Sequence, residues 1–185
     1  MIWFTSDPHF GHRNIIQYSG RPFADLEAHD AALLANWNVC VRPSDVIYCL
    51  GDFAFLRDPR EIERLLGRLH GTKFLISGNH DHEIVRKAKG WAKVTPYHEI
   101  SPVVDGAKQL ICLFHYRMVV WNRSHRGSWA LHGHSHGTLP KNYGARTIDV
   151  GVDCYDYKPV SLAEVALDMA AYSFTPVNGH VGDRV

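Results

Sequence analysis

The chain has 185 residues, with 20 lysines and arginines against 19 aspartates and glutamates, which leaves a formal net charge of +1. This balance argues against a dedicated nucleic-acid-binding protein, which normally carries a basic excess. Hydrophobic residues make up 45% of the chain, enough to fill a core, so the composition also excludes a disordered protein. The unusual feature is 13 histidines beside only 4 cysteines, because histidine is the commonest metal ligand and titrates near neutral pH.

The compartment and the domain organisation are predicted from the ends and the cysteines. The first residues contain no basic segment, and their apolar run is too short for a signal peptide or a membrane helix. The cysteines are widely spaced and form no CxxC pair, which is typical of reduced thiols. We therefore expect a cytoplasmic protein without a membrane anchor, with one domain over residues 1–185 whose last part, residues 174–185, is a flexible tail.

In the first half of the chain, apolar runs of strand length alternate with helical patterns. Asp58, Pro59 and Glu61 indicate a helix start, because aspartate caps free amides and proline fits the first turn. In chain order, the predicted elements are a strand at Ile2–Thr5, a helix at Asp25–Val41, a strand at Val46–Leu50, a helix from Asp58 to Leu69, a strand at Phe74–Ser77 and a short helix at Glu83–Lys89.

The second half of the chain has a different residue pattern, with short β-type runs separated by turns that contain glycine. Ser161 and Glu164 form a capping box, which predicts a last helix that reaches Ala171. Alternating strands and helices followed mostly by strands suggest an α/β fold with sheets packed face to face and helices outside. The predicted strands of this half are Val94–Ile100, Val103–Val104, Gln109–Phe114, Trp129–His132 and Arg146–Val152.

Polar residues follow five of the apolar runs at the point where each run ends. Because ligands of α/β sheets gather beyond the carboxyl ends of strands, we expect these residues to meet at one place. In extended backbone, residues two apart point to the same side, so two pairs of these residues can each aim at one small volume. The seven candidate ligands are Asp7, His9, Asp52, Asn79, His115, His134 and His136.

The chemistry of these side chains indicates a pair of metal ions. Carboxylate, amide oxygen and imidazole ligands without a thiolate suit Mn²⁺, Fe²⁺ or Zn²⁺, and they disfavour a structural zinc site. Seven ligands are too many for one tetrahedral ion, whereas two ions that share a bridging carboxylate can use them all. Asp52 is the natural choice for that bridge.

The ordered motifs resemble those of the calcineurin-like metallophosphoesterases. The matching motifs are Asp7-x-His9, Gly51-Asp52, Gly78-Asn79-His80-Asp81, His115 and Gly133-His134-x-His136. The stretch Asp149–Leu162 is also similar to the small bacterial and phage members. The resemblance implies a four-layer αββα sandwich, in which two mixed β-sheets are flanked by helices and a dinuclear metal centre lies at the sheet edge.

The resemblance also implies a role for each site residue. Asp52 bridges two metal ions of manganese, iron or zinc, and His80 is the proton donor. The implied reaction is hydrolysis of a small phosphomonoester or phosphodiester by a metal-bound hydroxide. One metal takes Asp7, His9, Asp52 and His136, and the other takes Asp52, Asn79, His115 and His134.

The sequence makes less specific predictions for residues near the motifs and outside them. His12 and Arg13 follow the first motif, and Arg117 follows His115, so these three are candidate substrate contacts. Either arginine can pair with a phosphate through two hydrogen bonds. Arg21 is assigned no role beyond a structural turn. Histidines outside the motifs, such as His29, are expected at the surface, and the ring of Phe55 is expected in the core.

Two alternative functions stay open. A nuclease acting on short nucleic acid is one, although the charge of +1 weighs against it. A non-catalytic module of the same fold, which binds metal or a partner, is the other, although the complete ligand set weighs against it. Protein phosphatases of the superfamily continue the second motif as GDxVDRG, whereas this chain has GDFAFLR at residues 51–57, which disfavours a protein substrate.

Overall fold

A computed structural model of the protein describes residues 1–140 and 146–172, so the tail expected at residues 174–185 lies outside it. In these ranges the α-helices, α1 to α5, are Ile15–Tyr18, Leu26–Cys40, Pro59–Arg68, Glu83–Arg86 and Leu162–Ala170. The strands, β1 to β11, are Ile2–Thr5, Val46–Cys49, Thr72–Ile76, Trp91–Thr95, Tyr97–Ile100, Val103–Val104, Ala107–Lys108, Ile111–Phe114, Trp129–His132, Thr147–Asp149 and Val160–Ser161. Short 3₁₀ helices lie at Ser124–Arg126 and Val152–Cys154.

Within the described residues, the strands form two mixed sheets and a separate hairpin of β6 and β7. The five-stranded sheet has the order β11-β1-β2-β3-β4, and its pairs are parallel except for β11 with β1. The four-stranded sheet has the order β10-β9-β8-β5, and its pairs are parallel except for β8 with β5. Parallel neighbours end on the same side, so the loops that follow them gather at one edge of each sheet.

The core between the sheets is apolar. Phe4 and Ile76 of the five-stranded sheet share one buried cluster with Leu113 and Leu131 of the four-stranded sheet, and Val165 of α5 joins it. Full burial of side chains of this kind stabilises the fold by about 1.5–3 kcal/mol each. The two sheets are therefore held face to face by the alternate residues of their strands.

The outer faces of the two sheets are covered differently. On the five-stranded sheet, Leu33 of α2 and Leu66 of α3 pack in one cluster with Ile47 of β2. On the four-stranded sheet, Trp121 covers Cys112 in a smaller cluster, beside the 3₁₀ helix. The expected sandwich of two mixed sheets with flanking helices is confirmed. Among the described residues, no helix has the length and the apolar character needed to cross a membrane.

Helix starts agree with the sequence prediction. The Asp25 carboxylate caps α2, and the Asp58 carboxylate caps α3, whose first residue is Pro59. Ser161 and Glu164 form both hydrogen bonds of the capping box at the start of α5. These side chains satisfy amides that have no partner within the helix, so the predicted boundaries fall within a residue of the observed ones.

The prediction of one strand over Val94–Ile100 is wrong. The structure has two strands here, β4 and β5, with Pro96 between them. β4 extends the five-stranded sheet, whereas β5 belongs to the four-stranded sheet. Proline lacks an amide hydrogen for a ladder and fixes φ, so the chain leaves one sheet at this residue and enters the other.

Candidate metal centre

The structure brings the seven candidate ligands together beyond the carboxyl ends of β1, β2, β3, β8 and β9. Among the described residues they form two groups, in each of which the ligand atoms lie within 4.8 Å of one another. Asn79 adds to the second group, because its Oδ1 lies 3.1 Å from His115 Nε2. The first group is Asp7, His9 and His136, and the second group is Asp52, His115 and His134.

Asp52 lies between the two groups. Its Oδ2 is 3.8 Å from His9 Nε2 in the first group and 3.5 Å from His115 Nε2 in the second group. Asp52 is buried, and its Oδ1 accepts a hydrogen bond from the His80 amide at 2.9 Å. One carboxylate oxygen therefore faces both groups, which is the position that a bridging ligand needs.

The backbone of the two ligand pairs is left-handed, whereas the sequence predicts extended backbone there. Asp7 and His9 have φ values of 56° and 53°, and His134 and His136 have values of 67° and 48°. These values are left-handed, a conformation that costs residues with a side chain about 1–3 kcal/mol each. Pairs two residues apart still meet, but on strained turns, so contacts outside the turns must hold them.

Two glycines let the loops approach closely. A Cβ atom at Gly133 would collide with the side chains of Ser6 and Asp7. A Cβ atom at Gly78 would collide with Asp52 Oδ1. Glycine is therefore required at both positions because another strand end occupies the space of the side chain.

Solvent reaches the centre from one side. The side chains of Asp7, His9, Asp52 and His115 are buried. By contrast, three residues at the mouth are exposed, namely Asn79, His80 and His134. A substrate can therefore reach the second group directly, past His80.

The first group contains buried polar atoms that lack a protein partner. Asp7 Oδ1 and both ring nitrogens of His9 are buried without a hydrogen bond among the described residues. Burial raises the pKa of Asp7 to about 7 and lowers the pKa of His9 to about 2. A cation between these atoms would favour the ionised carboxylate and use the free lone pair of the neutral imidazole, so the donor set fits a metal ion.

In the second group, Asp52 and His115 are electrostatically complementary. Burial alone would raise the pKa of Asp52, but the contact with His115 lowers it to about 2. Burial would lower the pKa of His115, but the contact with Asp52 raises it to about 9. His115 Nδ1 lies 2.7 Å from the Leu50 carbonyl oxygen, which must accept its hydrogen, so Nε2 faces the site. A metal ion bound here would take the place of a proton on that nitrogen.

The candidate substrate contacts lie in three different surroundings. His12 stacks on Phe55, with ring centroids 3.8 Å apart, and its centroid is 5.4 Å from that of His9. Arg13 is exposed and lines a groove between α2 and α3. Arg117 lines a cavity of about 100 Å³ and donates to the Pro140 carbonyl at 3.4 Å. Phosphate binding by these residues stays a prediction.

Two predictions about residues near the centre are wrong. Phe55 is only half-buried, and its ring lies beside the rings of His9, His12 and His80 instead of filling the core. His29 is fully buried instead of lying at the surface. Contacts with polar groups explain both positions. Phe55 covers imidazoles at the mouth of the site, and His29 accepts a hydrogen bond from a buried guanidinium.

Asp81 is the last residue of the motif at residues 78–81, and the sequence predicts no role for it. Its buried carboxylate accepts hydrogen bonds from three amides, those of Asp52, Phe53 and Gly78, at 2.8–2.9 Å. It therefore joins the turns after β2 and β3. The sequence also predicts no role for Asp153, because its contact with His136 spans 17 residues and follows no local pattern.

Comparisons with known proteins agree with this geometry. The family model described as calcineurin-like phosphoesterase matches residues 1–150. The chain is 32% identical over 167 residues to the uncharacterized protein MJ1445 of Methanocaldococcus jannaschii, covering 87% of this chain and 86% of that protein. It is 28% identical over 181 residues to the gene 66 protein of Mycobacterium phage L5, covering 83% and 86%. The crystal structure of AQ665, a protein of unknown function from Aquifex aeolicus, has a TM-score of 0.71 and 28% identity, covering 90% of this chain and 98% of that chain.

Proposed function

The chain belongs to the calcineurin-like phosphoesterase family, and from this premise we propose that it is a metal-dependent hydrolase of small phosphate esters. The observation that carries the proposal is the arrangement of two ligand groups around Asp52. When bound, a pair of divalent ions supplies Lewis-acid stabilisation of phosphoryl oxygens and lowers the pKa of water. Manganese, iron and zinc all suit this mixture of carboxylate, amide and imidazole ligands.

In the proposed mechanism, the buried residues hold the centre and the exposed residues receive the substrate. The Asp7, His9 and Asp52 side chains are enclosed, so the surrounding protein holds them in place as ligands. Asn79 and His134 are exposed on the open side, where a phosphate group can approach. A phosphate ester bound there would have its phosphorus atom between the ligand groups and the residues at the mouth.

His80 is proposed as the general acid. Its amide is tied to Asp52 Oδ1, which fixes its backbone beside the bridging carboxylate. Its exposed ring packs 5.1 Å from the Phe55 ring and 6.0 Å from the His9 ring, measured between centroids. An imidazole in this position can give a proton to the leaving oxygen, which is typically worth about 10²–10⁴-fold in rate.

We also propose that the substrate is a small molecule and not a long nucleic acid. The net charge of +1 provides little general attraction for a polyphosphate backbone. The second motif lacks the aspartate, arginine and glycine that the resemblance associates with protein phosphatases. A small phosphomonoester or phosphodiester is the substrate class that remains.

The experiment compares the wild-type chain with two variants after metal removal and reloading with Mn²⁺, Fe²⁺ or Zn²⁺. p-Nitrophenyl phosphate and bis(p-nitrophenyl) phosphate report monoesterase and diesterase activity, and a short oligonucleotide tests for nuclease activity. We expect two metal ions per chain and hydrolysis of at least one aryl ester. His80→Asn removes the proposed acid, and His98→Asn in β5, away from the ligands, is the matched control. Absence of metal binding, or metal binding without hydrolysis of any ester, would overturn the proposal.

A further inference from the structure

Arg21 is fully buried beside the first ligand group, which is unusual for arginine unless its charge is paired. Its Nε and Nη2 atoms donate to the two carboxylate oxygens of Asp153, each at 2.8 Å. Nη2 also donates to the Asp7 carbonyl at 2.8 Å, and Nη1 donates to the Pro8 carbonyl at 3.0 Å and to His29 Nε2 at 2.8 Å. These contacts use the whole donor capacity of the guanidinium.

Asp153 connects Arg21 to a candidate metal ligand. Its Oδ2 lies 2.7 Å from His136 Nδ1. Asp153 forms an ion pair with the Arg21 guanidinium and accepts two hydrogen bonds from it, so the carboxylate acts as an acceptor toward His136 as well. His136 Nδ1 therefore carries the hydrogen, and its Nε2, 3.9 Å from Asp7 Oδ1, presents a lone pair to the first group.

The other side of the guanidinium is fixed in the same way. Arg21 can only donate, so His29 Nε2 accepts and His29 Nδ1 carries the hydrogen. His29 Nδ1 donates this hydrogen to Asp30 Oδ1 at 2.8 Å, and the Asp30 carboxylate also accepts from the Gly11 amide at 3.0 Å. The network thus holds the main chain on both sides of His9, at the Pro8 carbonyl and at the Gly11 amide.

We propose that Arg21 is the positioning residue of the first ligand group, and that this one guanidinium holds all three of its ligands. It fixes the turn of Asp7 and His9 through the carbonyls of Asp7 and Pro8, and it fixes His136 through Asp153. Because the Asp7 and His9 turn is left-handed, it needs such external bonds to persist. The inference rests on the proposed function, because it assumes that the first group binds a metal ion.

A stronger effect on the first ligand group than on the second distinguishes this role of Arg21 from general support of the fold. The turns that carry Asp52 and Asn79 are held by Asp81, and Arg21 makes no hydrogen bond to them among the described residues. Loss of Arg21 should therefore weaken the first group more than the second, which contacts the Asp7 and His9 turn through the His134 amide on Asp7 Oδ2 at 2.9 Å. A residue that only stabilised the fold would weaken both groups together.

The test measures Mn²⁺ binding to the full chain and to three variants. Arg21→Met removes the guanidinium, and Asp153→Asn keeps the size of the side chain while it removes the negative charge. Lys73→Met is the matched control, because the buried Lys73 Nζ also donates to two carbonyls, of Leu69 at 2.8 Å and Gly71 at 2.9 Å, near the amino end of β3 and away from the site. Circular dichroism establishes that each variant is folded.

The readouts are the number of Mn²⁺ ions per chain, their dissociation constants and the electron paramagnetic resonance spectrum. We expect wild type and Lys73→Met to bind two ions with a spin-coupled spectrum. Arg21→Met and Asp153→Asn should bind one ion tightly, with the six-line spectrum of isolated Mn²⁺, and the other ion about 10–100-fold more weakly.

Three results would overturn the inference. Two tightly bound ions in folded Arg21→Met and Asp153→Asn would show that the network does not position the first group. An equal loss of both ions in these variants and in Lys73→Met would show that Arg21 only supports the fold. A wild-type chain that binds no Mn²⁺, Fe²⁺ or Zn²⁺ would overturn the proposed function, and this inference with it.

Discussion

The two ligand groups of the centre are held by buried side chains of opposite charge. Behind the first group, Arg21 donates to the carbonyls of Asp7 and Pro8 in the turn after β1. Behind the second group, the Asp81 carboxylate accepts from the amides of Asp52 and Gly78 in the turns after β2 and β3. The charge of the supporting residue thus follows from which main-chain groups face inward, because buried carbonyls need a donor and buried amides need an acceptor.

The groups also differ in their access to solvent. Asp7 and His9 in the first group are buried, whereas His134 and Asn79 in the second group are exposed. We infer that the first group retains its ion more firmly and that the second group faces the substrate together with His80. Variants test this difference between the first group, the enclosed half of the centre, and the second group, the open half.

The largest effect is expected at Asp52, the residue that belongs to both halves. Asp52→Ala removes the carboxylate oxygen that lies between His9 and His115, so both groups lose a ligand. We expect fewer than two ions per chain and a fall in hydrolysis of more than about 10³-fold, because metal ions contribute several kcal/mol of transition-state stabilisation. Metal analysis and rate measurements on the same sample check this, and full occupancy by two ions would contradict the bridging role.

His80→Asn should separate catalysis from metal binding. His80 is exposed at the mouth and is not one of the candidate ligands, so both ions should stay bound. Turnover should fall by about 10²–10⁴-fold, the usual contribution of a general acid. The check is kcat measured with metal content determined in parallel. Wild-type kcat, or the loss of one ion, would refute the assignment of His80.

Asp81→Asn should weaken the open half, as the loss of Arg21 is expected to weaken the enclosed half. An amide cannot accept at both oxygen positions, so one or more buried N–H groups lose their acceptor. We expect Mn²⁺ affinity at the second group to fall by about 10–100-fold. Isothermal titration measures this, and Asp58→Asn, at the exposed start of α3, is the control that should keep wild-type affinity.

The most gradual effect is the dependence of metal binding on pH. In the metal-free protein the pKa of His115 is about 9 and that of Asp7 is about 7, so both bind a proton below these values. A metal ion needs the neutral imidazole and the ionised carboxylate, so binding releases these protons and weakens as the pH falls. We expect Mn²⁺ affinity to decrease from pH 9 to pH 6, by at most about tenfold per pH unit for each proton. Titrations in buffers of different ionisation enthalpy count the released protons, and an affinity independent of pH would contradict this prediction.

The cluster of candidate ligands was predictable from the sequence because these residues lie in the short turns that follow apolar runs. Parallel strands bring such positions to one edge, so Asp7, Asp52 and His115 could be grouped without knowledge of the fold. The capped starts of α2, α3 and α5 were predictable for a similar reason, because the capping residue and the helix are neighbours in the chain.

The supporting residues could not be predicted, because their partners are distant in the chain. Arg21 and Asp153 are 132 residues apart, and only the closed sandwich places them together behind the first group. A pattern of apolar residues also says nothing about the sheet to which a strand belongs. The crossing at Pro96 from β4 to β5 therefore became visible only in the structure.

The most direct test for a pair of metal ions bridged by Asp52 is anomalous diffraction at the manganese edge from crystals of the chain loaded with Mn²⁺. We expect two peaks about 3.5–4 Å apart. One peak should lie among Asp7, His9 and His136, and the other among His115, His134 and Asn79, with Asp52 bound to both. A single peak, or peaks away from these side chains, would contradict this expectation.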